Sequence, residues 1–198
     1  MSNKPHSAAC DNNSQPILQV IEPLFSTIDN VLEIGSGTGQ HAVYFAANMP
    51  HLNWQCSDLK ENHAGILHWL DDANLGNTSI PIELDVSKDH WPALEFDAVF
   101  SANAIHIMSW EAGKEMIAGV GALLPKNGLF LLYGPFNYNN AYTSDSNANF
   151  DVWLKQRNPL SGIRHFEKVE ALANSAGMEL LNDYAMPANN RILCWRKQ

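Results

Sequence analysis

At 198 residues and 45% hydrophobic side chains, the chain has the length and apolar content of one globular domain with a filled core. Its 21 acids against 12 bases give a formal charge of −9, and no block of Lys or Arg precedes the terminal Arg196-Lys197. That balance disfavours a polyanion, so no nucleic-acid partner is expected.

In chain order, the first fifteen residues are polar and carry no expected secretory signal. The stretch Pro16–Ile28 reads as a leading helix, bent or broken at Pro23. Strand-length apolar runs follow at Val31–Ile34, Leu52–Cys56, Ile80–Leu84, Phe96–Ser101 and Gly128–Tyr133. Between them His41–Asn48, Glu61–Leu75 and Trp110–Leu124 have helical spacing, and this alternation predicts βαβ units with a parallel sheet. The polar stretch Gly134–Asn149 is long for a loop, and such loops are usually functional. Helices are expected at Asn149–Arg157 and Glu167–Ser175, the second stopped by Gly177. Met178–Tyr184 and Arg191–Trp195 form an expected closing hairpin through Met186-Pro-Ala-Asn-Asn190. No internal repeat or linker divides residues 1–198, which read as a single domain.

Cys10, Cys56 and Cys194 are too few and too separated for a disulfide framework or a zinc spacing. The eight histidines form no HExxH pair, so no metal site is expected. No apolar run is long enough for a bilayer, and the expectation is a soluble, cytoplasmic protein without a membrane partner.

The chemistry starts at Glu33-Ile-Gly-Ser-Gly-Thr-Gly39. A strand, a glycine turn and a helix form the construction in which backbone approaches a nucleotide-like ligand, since a Cβ would block the approach. A dinucleotide fingerprint has its third glycine three places after the second; counted from Gly37, that place holds Gln40. With no Tyr-x-x-x-Lys pair either, a NAD-dependent oxidoreductase is the weaker reading. Asp58, at the end of the second strand, suits both hydroxyls of an adenosine ribose, or equally the N-cap of the next helix. Asp85-Val86 closes the third strand. Asn103 and His106 leave the fourth, at the edge where open α/β sheets bind ligands.

The run Glu33-x-Gly35-x-Gly37-x-Gly39 resembles motif I of class I S-adenosylmethionine (SAM)-dependent methyltransferases, and Phe96–His106 resembles their motif IV. The whole chain resembles a small group of methyltransferase-like proteins of bacteria and animals catalogued as a domain of unknown function. That likeness runs through Asn13-x-x-Pro-Ile-Leu18, Tyr133-Gly-Pro-Phe-Asn137, Ser144-Asp-Ser-Asn147, Phe150-Asp151 and Gly162-Ile-Arg164. It departs at Asp11-Asn-Asn13, where the relatives commonly read Glu-Arg-Asn.

The resemblance implies a Rossmann-like class I methyltransferase fold, a mostly parallel seven-stranded sheet with an antiparallel C-terminal hairpin. It implies SAM as cofactor, contacted by Glu33, Gly35, Gly37, Gly39, Asp58, Leu59, Asp85, Val86 and Asn103. The implied activity is methyl transfer to a small-molecule acceptor, with a SAM-binding protein that has lost turnover as the alternative. His106 is a candidate general base, since an imidazole titrates near neutrality, or a residue that packs against the cofactor. Tyr133, Phe136, Asn137, Asn147 and Arg164 complete the expected acceptor pocket, covered by an insert over 134–165. Arg164 either clamps an acidic group on the acceptor or pairs with Asp145 or Asp151. The segment 1–28 is expected to lead into the fold, with Asn13–Leu18 either lidding the cofactor cleft or lying as a plain surface helix.

Overall fold

The computed structural model describes residues 4–88 and 91–198. Residues 1–3 of the expected leading segment lie outside that range.

The expected strands and helices form, with shifted ends. The sheet strands are β1 (Asn30–Ile34), β2 (Asn53–Asp58), β3 (Thr78–Glu83), β4 (Ala98–Ala102), β5 (Leu129–Gly134), β8 (Met178–Met186) and β9 (Asn190–Lys197). Their order is β3-β2-β1-β4-β5-β9-β8, parallel from β3 to β5 and antiparallel over the last two. Two short strands, β6 (Phe136–Asn137) and β7 (Arg164–His165), pair outside this sheet.

Both faces of the central strands are covered, which is why β4 and β5 read as continuous apolar runs. One face, with α1 (Ala8–Leu24), α2 (Gln40–Asn48) and α3 (His63–Ala73), buries Ile17, Ile21, Phe45, Trp54, Phe100 and Tyr133. The other, with α4 (Trp110–Leu123) and α6 (Phe166–Ser175), buries Leu32, Val99, Ile117, Phe130, Val169 and Trp195. Phe45, Trp54 and Phe100 form a triangle with ring centroids 5.3–5.7 Å apart. Each such side chain contributes roughly 1.5–3 kcal/mol by burial, with a further increment from the tilted ring pairs.

Two elements differ from expectation. The leading helix begins at Ala8 rather than Pro16 and stops at Leu24, one residue past Pro23. Pro16, the expected first residue, sits mid-helix. It lacks the N–H that would bond the Asn12 carbonyl, and Asn12 and Pro16 both face an open cavity. The second difference is α5, Asp145–Arg157, which takes up part of the expected loop. Ser144 caps it, its hydroxyl accepting from the Asn147 N–H at 3.1 Å. The helix buries Asn147, Asp151 and Leu154, too few apolar positions to leave a helical pattern in the sequence.

Candidate functional site

The turn from β1 to α2 lies at the carboxyl edge of the sheet. Gly35, Gly37 and Gly39 all have positive φ, and the Gly35 and Ser36 N–H groups donate to the Ser57 carbonyl at 3.0 and 3.1 Å. A Cβ on Gly35 would stand 2.9 Å from the Cβ of Ala104, so glycine lets the turn pass the loop after β4. A Cβ on Gly37 would meet no protein atom within 4 Å. The strand-to-helix turn therefore leaves open space above its backbone, as a nucleotide cradle requires.

Asp58 ends β2 beside this turn. One carboxylate oxygen accepts the Gly37 N–H at 2.6 Å; the other accepts the Leu59 N–H and the Asn62 side-chain amide, both at 2.7 Å. It is not the cap of the short helical turn Lys60–Asn62, where Leu59 occupies the cap position. Leu59 is 40% exposed, an apolar side chain at the same edge. Asp85 follows β3; Ser87 donates to its carboxylate from N–H and hydroxyl, and Lys88 pairs with it at 2.9 Å. These contacts hold its pKa below the usual carboxylate value, the Ser87 hydroxyl foremost. Val86 is buried in the α4-side core. Glu33 is 2% exposed beneath the turn and accepts the Trp54 indole N–H at 3.1 Å; burial pushes its carboxyl up to about 7.

Gln40 and His41, the first residues of α2, tie α1 to the glycine turn. The Gln40 side chain accepts the Ser7 N–H at 2.5 Å and donates to Asp11 at 3.1 Å. His41 Nε2–H donates to Asn13 Oδ1 at 2.6 Å, and burial lowers the imidazole's pKa to about 4, so it is neutral. Neither contact is visible in the sequence pattern, where Gln40 is only a failed glycine. In the cavity beyond, α1 is both wall and core: Asn13 borders open space while Ile17, one turn on, is fully buried.

That cavity, about 420 Å³, opens at the ends of β4 and β5. Ala9, Asn12, Asn13 and Pro16 of α1 form one wall, and Asn103, Tyr133 and Pro135 its floor. Ser146, Asn147 and Phe150 of α5 oppose α1, and Pro187, Ala188 and Asn190 close the end. The closing turn arrives there because β9 runs antiparallel to β5, with Arg191 opposite Gly134. Ala188 and Asn103 hold left-handed backbone, φ 56° and 58°, without being glycine; such strain gathers at functional sites. Burial raises the pKa of Tyr133.

Of the six expected pocket residues, Tyr133 and Asn147 line this cavity, joined by Asn103 from the expected cofactor set, and Phe136, Asn137, Arg164 and His106 do not. Phe136 is fully buried in the α4-side core, because β6 turns it inward. Arg164 neither faces the cavity nor pairs with Asp145 or Asp151: its guanidinium donates to the carbonyls of Ile105, Met108 and Leu160 at 3.0, 2.5 and 3.2 Å. Those carbonyls have no strand partners to satisfy them, and a five-donor fork meets that need. Asp151 instead accepts from Tyr142, Lys155 and the Ile163 N–H. Asn137 is buried away from the cavity. His106, 2% exposed, lies edge-to-face with Phe150 at 5.4 Å, one layer behind the wall. Burial, and then the Arg164 charge, lower its pKa to about 4, and its Nδ1 has no hydrogen-bond partner among the described residues. The sequence reading missed Ala9, Asn12, Ser146, Phe150 and the Pro187–Asn190 turn; the antiparallel hairpin and the α5 cap were the available signals.

Among the described residues, no group of three or more His, Cys, Asp or Glu is placed to hold a metal, and no helix is long and apolar enough to cross a membrane.

A family profile described as "Protein of unknown function (DUF938)" matches residues 4–197. Among solved structures, an O-methyltransferase family protein from Burkholderia thailandensis superposes with a TM-score of 0.84 at 17% identity, over 96% of this chain and 57% of that one. Human N-acetylserotonin methyltransferase, solved in complex with SAM, gives 0.76 at 16% identity, over 96% and 52%. An O-methyltransferase family 2 protein from Planctomyces limnophilus, solved in complex with apigenin, gives 0.76 at 14%, over 85% and 51%. The chain thus spans little more than half the length of these proteins. At such identities the likeness shows the fold alone, a Rossmann-like sheet that these proteins share.

Proposed function

The chain belongs to the family described as protein of unknown function (DUF938), and we propose that it transfers the methyl group of SAM to a small molecule held in the cavity beside β4 and β5. One observation carries the reading. The glycine turn, Asp58 and Asp85 occupy the ends of β1, β2 and β3, the cavity occupies the ends of β4 and β5, and the two share one edge of the sheet. A donor on one side and an acceptor on the other would meet at Asn103, which stands between them.

The open space over Gly37 fits a cofactor backbone. In this reading the turn of Gly35, Gly37 and Gly39 carries the methionine part, with Glu33 supporting the turn from below. Asp58 accepts one ribose hydroxyl with the lone pair its three present bonds leave free and the other in place of the Asn62 amide, and Leu59, Asp85 and Val86 frame the adenine. Bound SAM supplies an electrophilic methyl on a sulfonium: the acceptor's lone pair bonds to that carbon, and the sulfur keeps the electrons of the broken C–S bond. What the protein adds is in-line positioning, which is where most of such a rate comes from. His106, the candidate base, lies one layer behind the Phe150 wall, so it would take a proton from the accepting atom only through an intervening group. Its imidazole is neutral, as a base must be, but its lowered pKa makes it a weak one, so the reading calls for a ready nucleophile.

SAM should raise the melting temperature of the protein and NAD should not, since a ligand that binds only the folded state stabilises it in proportion to its occupancy. A shift with NAD and none with SAM would reverse the assignment.

A further inference from the structure

We propose that the methyl acceptor is an uncharged small molecule that presents N–H or O–H groups, selected by amide and carbonyl oxygens rather than by an ion pair; this rests on the methyl-transfer reading above. In a chain with 21 acids and 12 bases, none of the described residues lining the cavity carries a charge. What they offer is neutral amides and hydroxyls, among which free acceptor oxygens recur. Both N–H groups of the Asn147 amide are spent, on Thr143 and the Asn189 carbonyl, leaving its Oδ1 for a ligand. One N–H of the Asn190 amide is spent on the Pro187 carbonyl, leaving its Oδ1 and a second N–H. Pro16 has no N–H for the Asn12 carbonyl, one turn earlier on the same wall.

Three charged side chains of the surrounding elements are already committed. Arg164 is held by three carbonyls, and Arg191 by Asp183 at 2.6 Å. Asp151, 2% exposed, is bonded to Tyr142, Lys155 and the Ile163 N–H. A carboxylate or phosphate on the acceptor would lose its water and face carbonyl oxygens without a cation. An ammonium would exchange its water for a few neutral oxygens and no carboxylate. The anion's desolvation goes uncompensated and the ammonium's is met only in part, whereas a neutral donor exchanges water for the same oxygens at little loss. The Phe150 ring and the prolines supply the apolar body of the site, in the usual proportion for small-molecule pockets.

The test offers the wild-type protein methyl-tritiated SAM with two acceptor sets matched in size: 2-mercaptoethanol, thioglycolate and cysteamine, then phenol, 4-hydroxybenzoate and tyramine. Rates are compared at one pH, about 7, where each thiol and phenol is mostly un-ionised and only the second group carries a charge. The neutral member of a set should exceed both charged members by about tenfold or more in kcat/KM. A charged member that matches or outruns its neutral counterpart overturns the proposal, and so does failure of both neutral acceptors while calorimetry shows SAM bound. Absence of SAM binding would instead remove the methyl-transfer reading itself. A second arm uses Ser146→Asp, which places an acid in the first turn of α5, where it suits the helix. It should raise cysteamine relative to 2-mercaptoethanol by about tenfold, and an unchanged ratio overturns the proposal.

Discussion

The two halves of the ligand edge are built differently. At the ends of β1 to β3, charged side chains close onto backbone: Asp58 takes the N–H groups of Gly37 and Leu59, and Asp85 takes that of Ser87. At the ends of β4 and β5 the walls are amides, a phenol, prolines and a phenyl ring, drawn from α1, α5 and the β8–β9 turn. A half whose shape is fixed within a few residues of each strand end suits a constant ligand. A half assembled from segments more than a hundred residues apart in sequence can be re-cut for a particular acceptor without disturbing the first. The contrast teaches where generality and specificity sit in this fold, and substitutions on each side should keep their effects on that side.

Gly35→Val should break the first half most severely. The new side chain would begin 2.9 Å from the Ala104 Cβ in a left-handed backbone that β-branched residues avoid. We expect SAM binding to be lost and stability to fall by several kcal/mol, as overpacking and backbone strain combine. Retained affinity by calorimetry would show that the turn is not the cradle.

Arg164→Met tests whether the acceptor half depends on its support rather than on a charge. Three carbonyls would lose their donors, at roughly 1–3 kcal/mol for each left unsatisfied, so the melting temperature should drop clearly. SAM affinity of the folded variant should change little. A variant with wild-type melting temperature and lost turnover would return Arg164 to the acceptor.

Glu33 gives the first half a pH signature. Its folded pKa of about 7 lies above its ordinary value near 4.5, so the unfolded chain ionises first and stability falls as pH rises between them. The loss is complete above pH 7 and amounts to about 3 kcal/mol from the size of the shift. His41 and His106, both lowered to about 4, work the other way: stability falls as pH drops below about 6.5. Glu33→Gln should therefore gain stability over wild type at pH 8 and gain little at pH 4.5. A constant difference across that range would show the carboxyl to be ionised throughout.

The smallest effect is expected at Asn147. Asn147→Leu removes one acceptor oxygen from the cavity wall together with the amide's bonds to Thr143 and the Asn189 carbonyl, and should lower kcat/KM about tenfold with SAM affinity unchanged. Equal losses in both quantities would dissolve the division between the halves.

The same division governs what was legible in the sequence. Glu33 to Gly39 announces strand, turn and helix within seven residues, and Asp58 and Asp85 stand at apolar-run ends, so local pattern suffices for that half. Sheet class and hairpin also followed from alternation of apolar runs. The acceptor half was read from Tyr133 and its neighbours in sequence, yet Phe136 turns into the core and Arg164 into the backbone of the 105–108 loop. Its true partners, Asn12, Phe150 and Asn190, come from three distant segments, and only the antiparallel entry of β9 brings the last of them to this edge. The start of α1 at Ala8 was missed because the residues before Pro16 are polar, and the helix tolerates that proline beside a cavity.

The central claim is that the ends of β1 to β3 hold SAM, and titration calorimetry of SAM into wild type and Asp58→Ala tests it most directly. The account predicts one site in the wild type and at least about tenfold weaker binding in the variant, since hydrogen bonds to a charged group contribute about 1.5–3 kcal/mol each. Equal affinity in the two proteins, or no binding in either, would contradict it.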